Sequence, residues 1–217
     1  GNWTWSKGLD NVGGDGGANG PVPQNPRDRD ADWAPSNSDI RHRVNLASTW
    51  QLPFGAGRAR LNKNKFVGAI AGGWDISGIM VFQTGLPFTV TAPGSPTNTG
   101  AGGRADVVAG QLLYPANQTI SLWFNPTAFT TPTAYNWGNS GRNILRGPRT
   151  TNFDLTAAKS FNFAEQRAIT FRAEFFNAFN HPQFGLPAAA VGSGNIGTIT
   201  STSRSNRQIQ LALRLTF

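Results

Sequence analysis

The chain has 217 residues, of which only 38% are hydrophobic and 40 are Gly (26) or Pro (14), and it carries a formal net charge of +8. It holds no cysteine, which excludes a disulfide framework, a thiolate zinc site and a catalytic thiol. No run of about 18 apolar residues occurs, which excludes a transmembrane helix but not a transmembrane barrel, whose signal is alternation over segments of roughly ten residues.

Six segments read as strands, at about 1–7, 39–53, 73–91, 152–163, 168–180 and 207–217. The first places Trp3 and Trp5 on one face. Gly8 to Asn37 then lacks any apolar period and is rich in Gly, Pro, Asn and Asp, the composition of a long loop. In the second strand Val44, Leu46, Trp50 and Leu52 face one way and Arg41, Arg43, Asn45, Thr49 and Gln51 the other. Two arginines on an inward face are costly in a dry core and ordinary in a water-filled lumen. A basic connection from Phe54 to Gly72 follows, with an apolar pause at Phe66 to Ile70.

In the third strand Trp74, Ile76, Gly78, Met80 and Phe82 alternate with Asp75, Ser77, Ile79, Val81 and Gln83, and the pattern is expected to run on through Phe88 and Val90 past an irregularity at Pro87. The stretch from Pro93 to Thr150 is the longest connection, and loops of this length usually carry function. The fourth and fifth strands are joined by the tight turn Ala164 to Arg167, and Ile169, Phe171, Ala173 and Phe175 share a face of the fifth. His181 to Asn206 is another long loop. In the last strand Ile209, Leu211, Leu213, Leu215 and Phe217 oppose Gln208, Gln210, Ala212, Arg214 and Thr216, the period of two of a strand with both faces committed.

With the C-terminus set on the periplasmic side, counting backwards puts every long loop outside and the short turn and basic connection inside, which is the asymmetry of outer-membrane barrels. Trp3, Trp5, Trp50, Phe54, Trp74, Phe82, Phe161 and Phe163 fall near strand ends, where aromatic girdles sit. The fold expected is therefore all-β: an antiparallel transmembrane β-barrel, here about its last six strands as an open curved meander with long extracellular loops.

The charges are clustered. Arg58, Arg60, Lys63 and Lys65 form one basic group, Arg142, Arg146 and Arg149 another, and five aspartates between Asp10 and Asp32 outnumber Arg27 and Arg29. No interleaved aromatics or helical face accompany them, so nucleic acid is not an expected partner and solvated loop faces are. Candidate lumen-facing polar residues are Arg41, Arg43, Asp75, Arg172, Glu174 and Arg214, with Asp154 beside them; the arginines hint at an anionic solute. Trp123, Tyr135 and Arg142 are candidate solute-contacting loop residues. Gly192 to Gly197 fits GxGxxG but precedes no helix, and His42 and His181 are the only histidines, far apart, so no catalytic, cofactor or metal site is expected.

Several ordered motifs carry a resemblance: Asn2 to Lys7 followed by Leu9-Asp10, Asp39 to Arg43 leading to Leu52 to Gly55, Gly72 to Trp74 with Gln83 to Phe88, Asn139 to Asn143 with Arg146 to Pro148, and Phe175 to Pro182. Over nearly the whole chain these resemble the late barrel of TonB-dependent receptors of the Oar-like, carboxypeptidase-regulatory-domain-containing type. The resemblance implies a 22-stranded barrel in a Gram-negative outer membrane, of which residues 1–217 form the last six strands, importing an unidentified solute. It also implies outer-membrane lipid, the barrel-assembly machinery and the TonB complex as partners, the last through a plug and N-terminal region outside the chain. Leu213, Leu215 and Phe217 are the expected assembly signal. Starting at Gly1 without Met or leader, the chain reads as a fragment or processed piece. The alternatives are a non-transporting adhesin or binding module and a soluble all-β carbohydrate-binding domain, which two sheets packed face to face would reveal.

Overall fold

A computed structural model describes residues 1–11, 23–54, 70, 72–99, 102–164 and 167–217. The basic group Arg58 to Lys65, the apolar pause apart from Ile70, and the centre of the turn at 165–166 lie outside the described residues.

The chain is built around one six-stranded antiparallel sheet: β1 (Asn2–Trp5), β2 (His42–Gln51), β3 (Trp74–Gln83), β4 (Thr150–Ala164), β5 (Arg167–Phe176) and β6 (Gln208–Thr216), each hydrogen-bonded to its neighbour in sequence. β2, β3 and β5 have ten residues and β6 nine. That is the length needed to cross a bilayer at a tilt, about 9–11 residues.

Register fixes which side chains share a face, because directly opposed residues in an antiparallel pair point the same way. Leu46 opposes Met80, which opposes Phe153; Leu155 opposes Phe175, which opposes Ile209; Phe171 opposes Leu213. The apolar rows read from six separate sequences thus join into one continuous face. No second sheet packs on that face among the described residues, and Leu211, Leu213 and Leu215 lie 57–73% exposed. A soluble sandwich would bury them.

Aromatics border this face in two belts. Trp3, Trp5, Phe82 and Phe153 lie toward the ends that meet the long loops, and Trp50, Trp74 and Phe161 toward the opposite ends. Trp74 and Phe82 are eight residues apart on one strand, roughly 26 Å at the usual rise of a strand. Tilted by about 40°, that is roughly 20 Å of height, close to the apolar band of a barrel.

The buried core is not in the sheet. It lies in the long connections, where Phe88, Val90, Ala105, Phe124, Ala128, Phe129 and Leu145 pack together, with Phe124 against both Phe88 and Phe129 at ring-centroid distances of 5.8 and 5.7 Å. Two-residue ladders brace it: Pro87–Phe88 with Leu145–Arg146, Thr91–Ala92 with Gly103–Arg104, and Asp106–Val107 with Phe129–Thr130, while Leu9–Asp10 pairs with Ala34–Pro35. The connections expected as loops are a folded cap.

Two strand boundaries are corrected. β3 ends at Gln83 and does not continue through Phe88 and Val90, which leave the sheet for the cap core. Gly85 makes the exit possible: a Cβ there would stand 1.8 Å from the Gly147 carbonyl oxygen, so the two segments approach at backbone contact. β5 ends at Phe176 and not near Asn180, because Asn177 and Asn180 adopt left-handed φ of 50° and 52°. The Asn177 side chain closes that turn, its Oδ1 accepting from the His181 N–H and its Nδ2 donating to the His181 carbonyl.

Candidate functional site

The polar face of the sheet runs unbroken from β1 to β6. Thr4 opposes Arg43, which opposes Gln83; Gln51 opposes Asp75; Thr156 opposes Glu174; Thr170 opposes Arg214. Hydroxyls pair across strands, Thr49 with Ser77 at 3.2 Å and Ser160 with Thr170 at 2.9 Å. Arg172 and Glu174 form an ion pair at 2.7 Å. Asp154 accepts from the Asn152 side chain and from the Asn177 N–H. Along the strands this face sets Arg43, Arg172 and Arg214 against Asp75, Asp154 and Glu174, so its charge sums to zero. Of the candidate polar residues, Arg41 alone lies outside a strand, in the bend before β2.

A lysine stands on the apolar face among its aromatics. Lys159 opposes Trp74 and Phe171 near the end of the sheet away from the cap, and its Nζ donates to the Ile70 carbonyl at 2.9 Å. The ammonium lies 4.8 Å from the Phe161 ring centroid and 5.6 Å from that of Trp74. A long stem can run along apolar surface while its head finds aromatic and carbonyl partners at the interface.

The cap is tied to the loop ahead of β2 by three ion pairs, Arg104 with Asp32, Arg142 with Asp10, and Arg146 with Asp39. The basic group Arg142 to Arg149 and the aspartate-rich stretch were expected as solvated faces. That expectation is corrected for Arg142 and Asp32, which are buried, as are Arg104 and Asp39 beside them, while Asp28, Asp30 and Arg149 are exposed. Desolvation raises the Asp39 carboxyl, but hydrogen bonds from Arg146 and the Gly8 N–H, with the Arg146 and Arg41 charges, outweigh it and hold the group below its usual range. Burial raises the Tyr114 hydroxyl, whose oxygen accepts from the Arg146 N–H at 2.7 Å.

The three candidate loop residues are not brought together. Trp123 packs against the cap core, its indole N–H donating to the Arg146 carbonyl and its backbone N–H to that of Gly197. Tyr135 is 78% exposed on the cap surface. Arg142 is buried, its Nε donating to the Asp32 carbonyl. It lines a cavity of about 660 Å³ with Asp32, Asn37, Phe88, Arg104 and Leu186, and neither Trp123 nor Tyr135 does. The sequence hid this cavity because its wall is drawn from segments far apart in the chain, from Gln24 to Leu186. The GxGxxG stretch 192–197 forms turns with positive φ at Gly192 and Gly197.

Leu213, Leu215 and the terminal Phe217 are exposed, the last at 92%. A family model described as an outer membrane beta barrel domain matches residues 1–210. No curated protein and no solved structure matches the chain.

Proposed function

Since this chain belongs to the outer membrane beta barrel domain family, and so forms barrel wall in the outer membrane of a Gram-negative bacterium, we propose that it serves a TonB-dependent receptor importing a solute. The observation that carries this reading is the pairing of a polar sheet face with a folded, cavity-bearing cap over one end of it. An open pore needs no such cap, and a passive wall needs no cavity. Loops that are pre-ordered by their own core lose little entropy on capturing a ligand, which is what a receptor for a scarce solute requires. The resemblance of the motifs to Oar-like receptors points the same way. Six strands fall short of the eight that a transmembrane barrel takes, and among the described residues β1 and β6 each pair on one side only, so further strands complete the wall in this reading. Leu213, Leu215 and Phe217 act as the signal for the barrel-assembly machinery, and the protein is not an enzyme.

The test is energy coupling. The protein as the cell makes it, purified from outer membranes, is passed over the immobilised periplasmic domain of TonB. Specific retention is expected; no retention, with the barrel intact, would make the protein an adhesin or passive binder.

A further inference from the structure

We infer that the cap cavity takes an uncharged solute with an apolar body, a statement about cargo that rests on the receptor reading above. Its size falls within the usual range for small-molecule sites, about 300–1,000 Å³. Leu86, Pro87, Phe88, Ala92 and Leu186 give the wall its apolar character.

Two guanidinium groups also line it, and these would ordinarily point to an anion. Both already have their charge balanced. Arg104 is paired with Asp32 and donates from Nε to the Ser140 carbonyl at 2.7 Å and from a terminal nitrogen to the Ala31 carbonyl at 3.2 Å. Arg142 is paired with Asp10 and donates to the carbonyls of Asp32, Asp10 and Ala34. An anionic ligand would bring a further negative charge to guanidinium groups that Asp32 and Asp10 already balance, leaving a buried charge unpaired.

Asp32, the carboxylate of the wall, is held by Arg104 through one oxygen, and its Oδ2 is buried out of reach of a solute in the cavity. Its charge is already balanced by Arg104, which removes the call for a cation. The polar sheet face agrees independently: three arginines against three carboxylates select neither sign along the wall below the cap.

Gly102 supplies the handle for the test. It lines the cavity, and a Cβ built there meets nothing within 4 Å, so a large side chain enters open space without backbone strain. The probe is phenyl β-glucoside, a neutral molecule with an apolar ring and hydroxyl donors, followed by saturation-transfer NMR on the protein purified from outer membranes. Phenyl glucuronide and phenyl glucosaminide, which place a carboxylate or an ammonium on the same frame, are compared with it. The glucoside is expected to bind at least about tenfold more tightly than either charged analogue, as a charge left unpaired in such a wall requires. Gly102→Trp is expected to abolish its signal, and Leu186→Trp, from the opposite chain segment, to do the same should the first variant assemble poorly. Absence of glucoside binding, equal or tighter binding of a charged analogue, or full binding in both assembled variants would overturn the assignment. Because TonB retention is measured separately, loss of this result alone leaves the receptor reading standing.

Discussion

At Asp39 burial and charge pull in opposite directions, and the balance shows how the cap is held down. Its side chain is fully buried and paired with Arg146, which keeps 29% of its own side chain exposed. Asp39→Asn removes the charge and leaves the guanidinium under-compensated; since Arg146 is still partly hydrated, the expected loss is about 2–3 kcal/mol, below the range for a fully buried pair. Hydrogen exchange should report it as weaker protection of the amides around Gly8, Asp39 and Arg146, with sheet amides unchanged; equal loss in the sheet would mean that cap and wall unfold together. The lowered carboxyl also sets a pH dependence. A group whose folded value is depressed stabilises fully above its unfolded value, about 3.9 for Asp, and loses that contribution as pH falls through the folded one. Acidification from pH 5 toward 2 should therefore loosen this corner in the native chain and leave the Asp39→Asn variant, already loosened, with a flatter profile.

The strands obey a simpler rule, alternation, and it makes their two faces unequal to charge. Leu211, opposite Ala173, lies on the apolar face and Gln210, opposite Glu174, on the polar one. Leu211→Arg should destabilise by about 2–4 kcal/mol near the middle of the bilayer and reduce the heat-modifiable band of the folded barrel, whereas Gln210→Arg, facing a carboxylate, should leave it unchanged. Equal effects would deny that the faces differ. This alternation is why the sheet was legible in the sequence: all six strands, their order and their facing residues follow from a period of two. Their ends were less so. The run from Trp74 looks continuous to Val90 because residues on both sides of Pro87 favour strand, and only the Gly85 to Gly147 contact, distant in sequence, turns it away. The cap was the least legible. Phe88 and Val90 passed for strand, Phe124 and Leu145 stand in Gly- and Pro-rich segments without a period, and its ion pairs join residues 72, 107 and 132 positions apart. Like-charged clusters read as solvated because the partner that buries each lies in another loop. Lys159 escaped for the same reason: only cross-strand register brings Trp74 beside it.

For the whole molecule, the outcome is a wall that is apolar outside and polar inside, with its dry core displaced from the sheet into the cap. In a soluble domain the order is reversed, since the sheet must bury a face to be stable. Here the outer membrane takes the place of the missing layer, and the packing that fixes a unique structure is concentrated in the cap. The central claim is that period, and it can be read directly along β6, which lacks cysteine, as does the whole chain. Nitroxide labels placed one at a time from Gln208 to Thr216, in the protein assembled in outer-membrane vesicles, report collision with oxygen dissolved in lipid against a water-soluble nickel chelate. Ile209, Leu211, Leu213 and Leu215 should favour oxygen and Gln208, Gln210, Ala212, Arg214 and Thr216 the chelate, in strict alternation. A profile without that alternation, or with the two sets exchanged, would contradict a membrane-facing apolar wall.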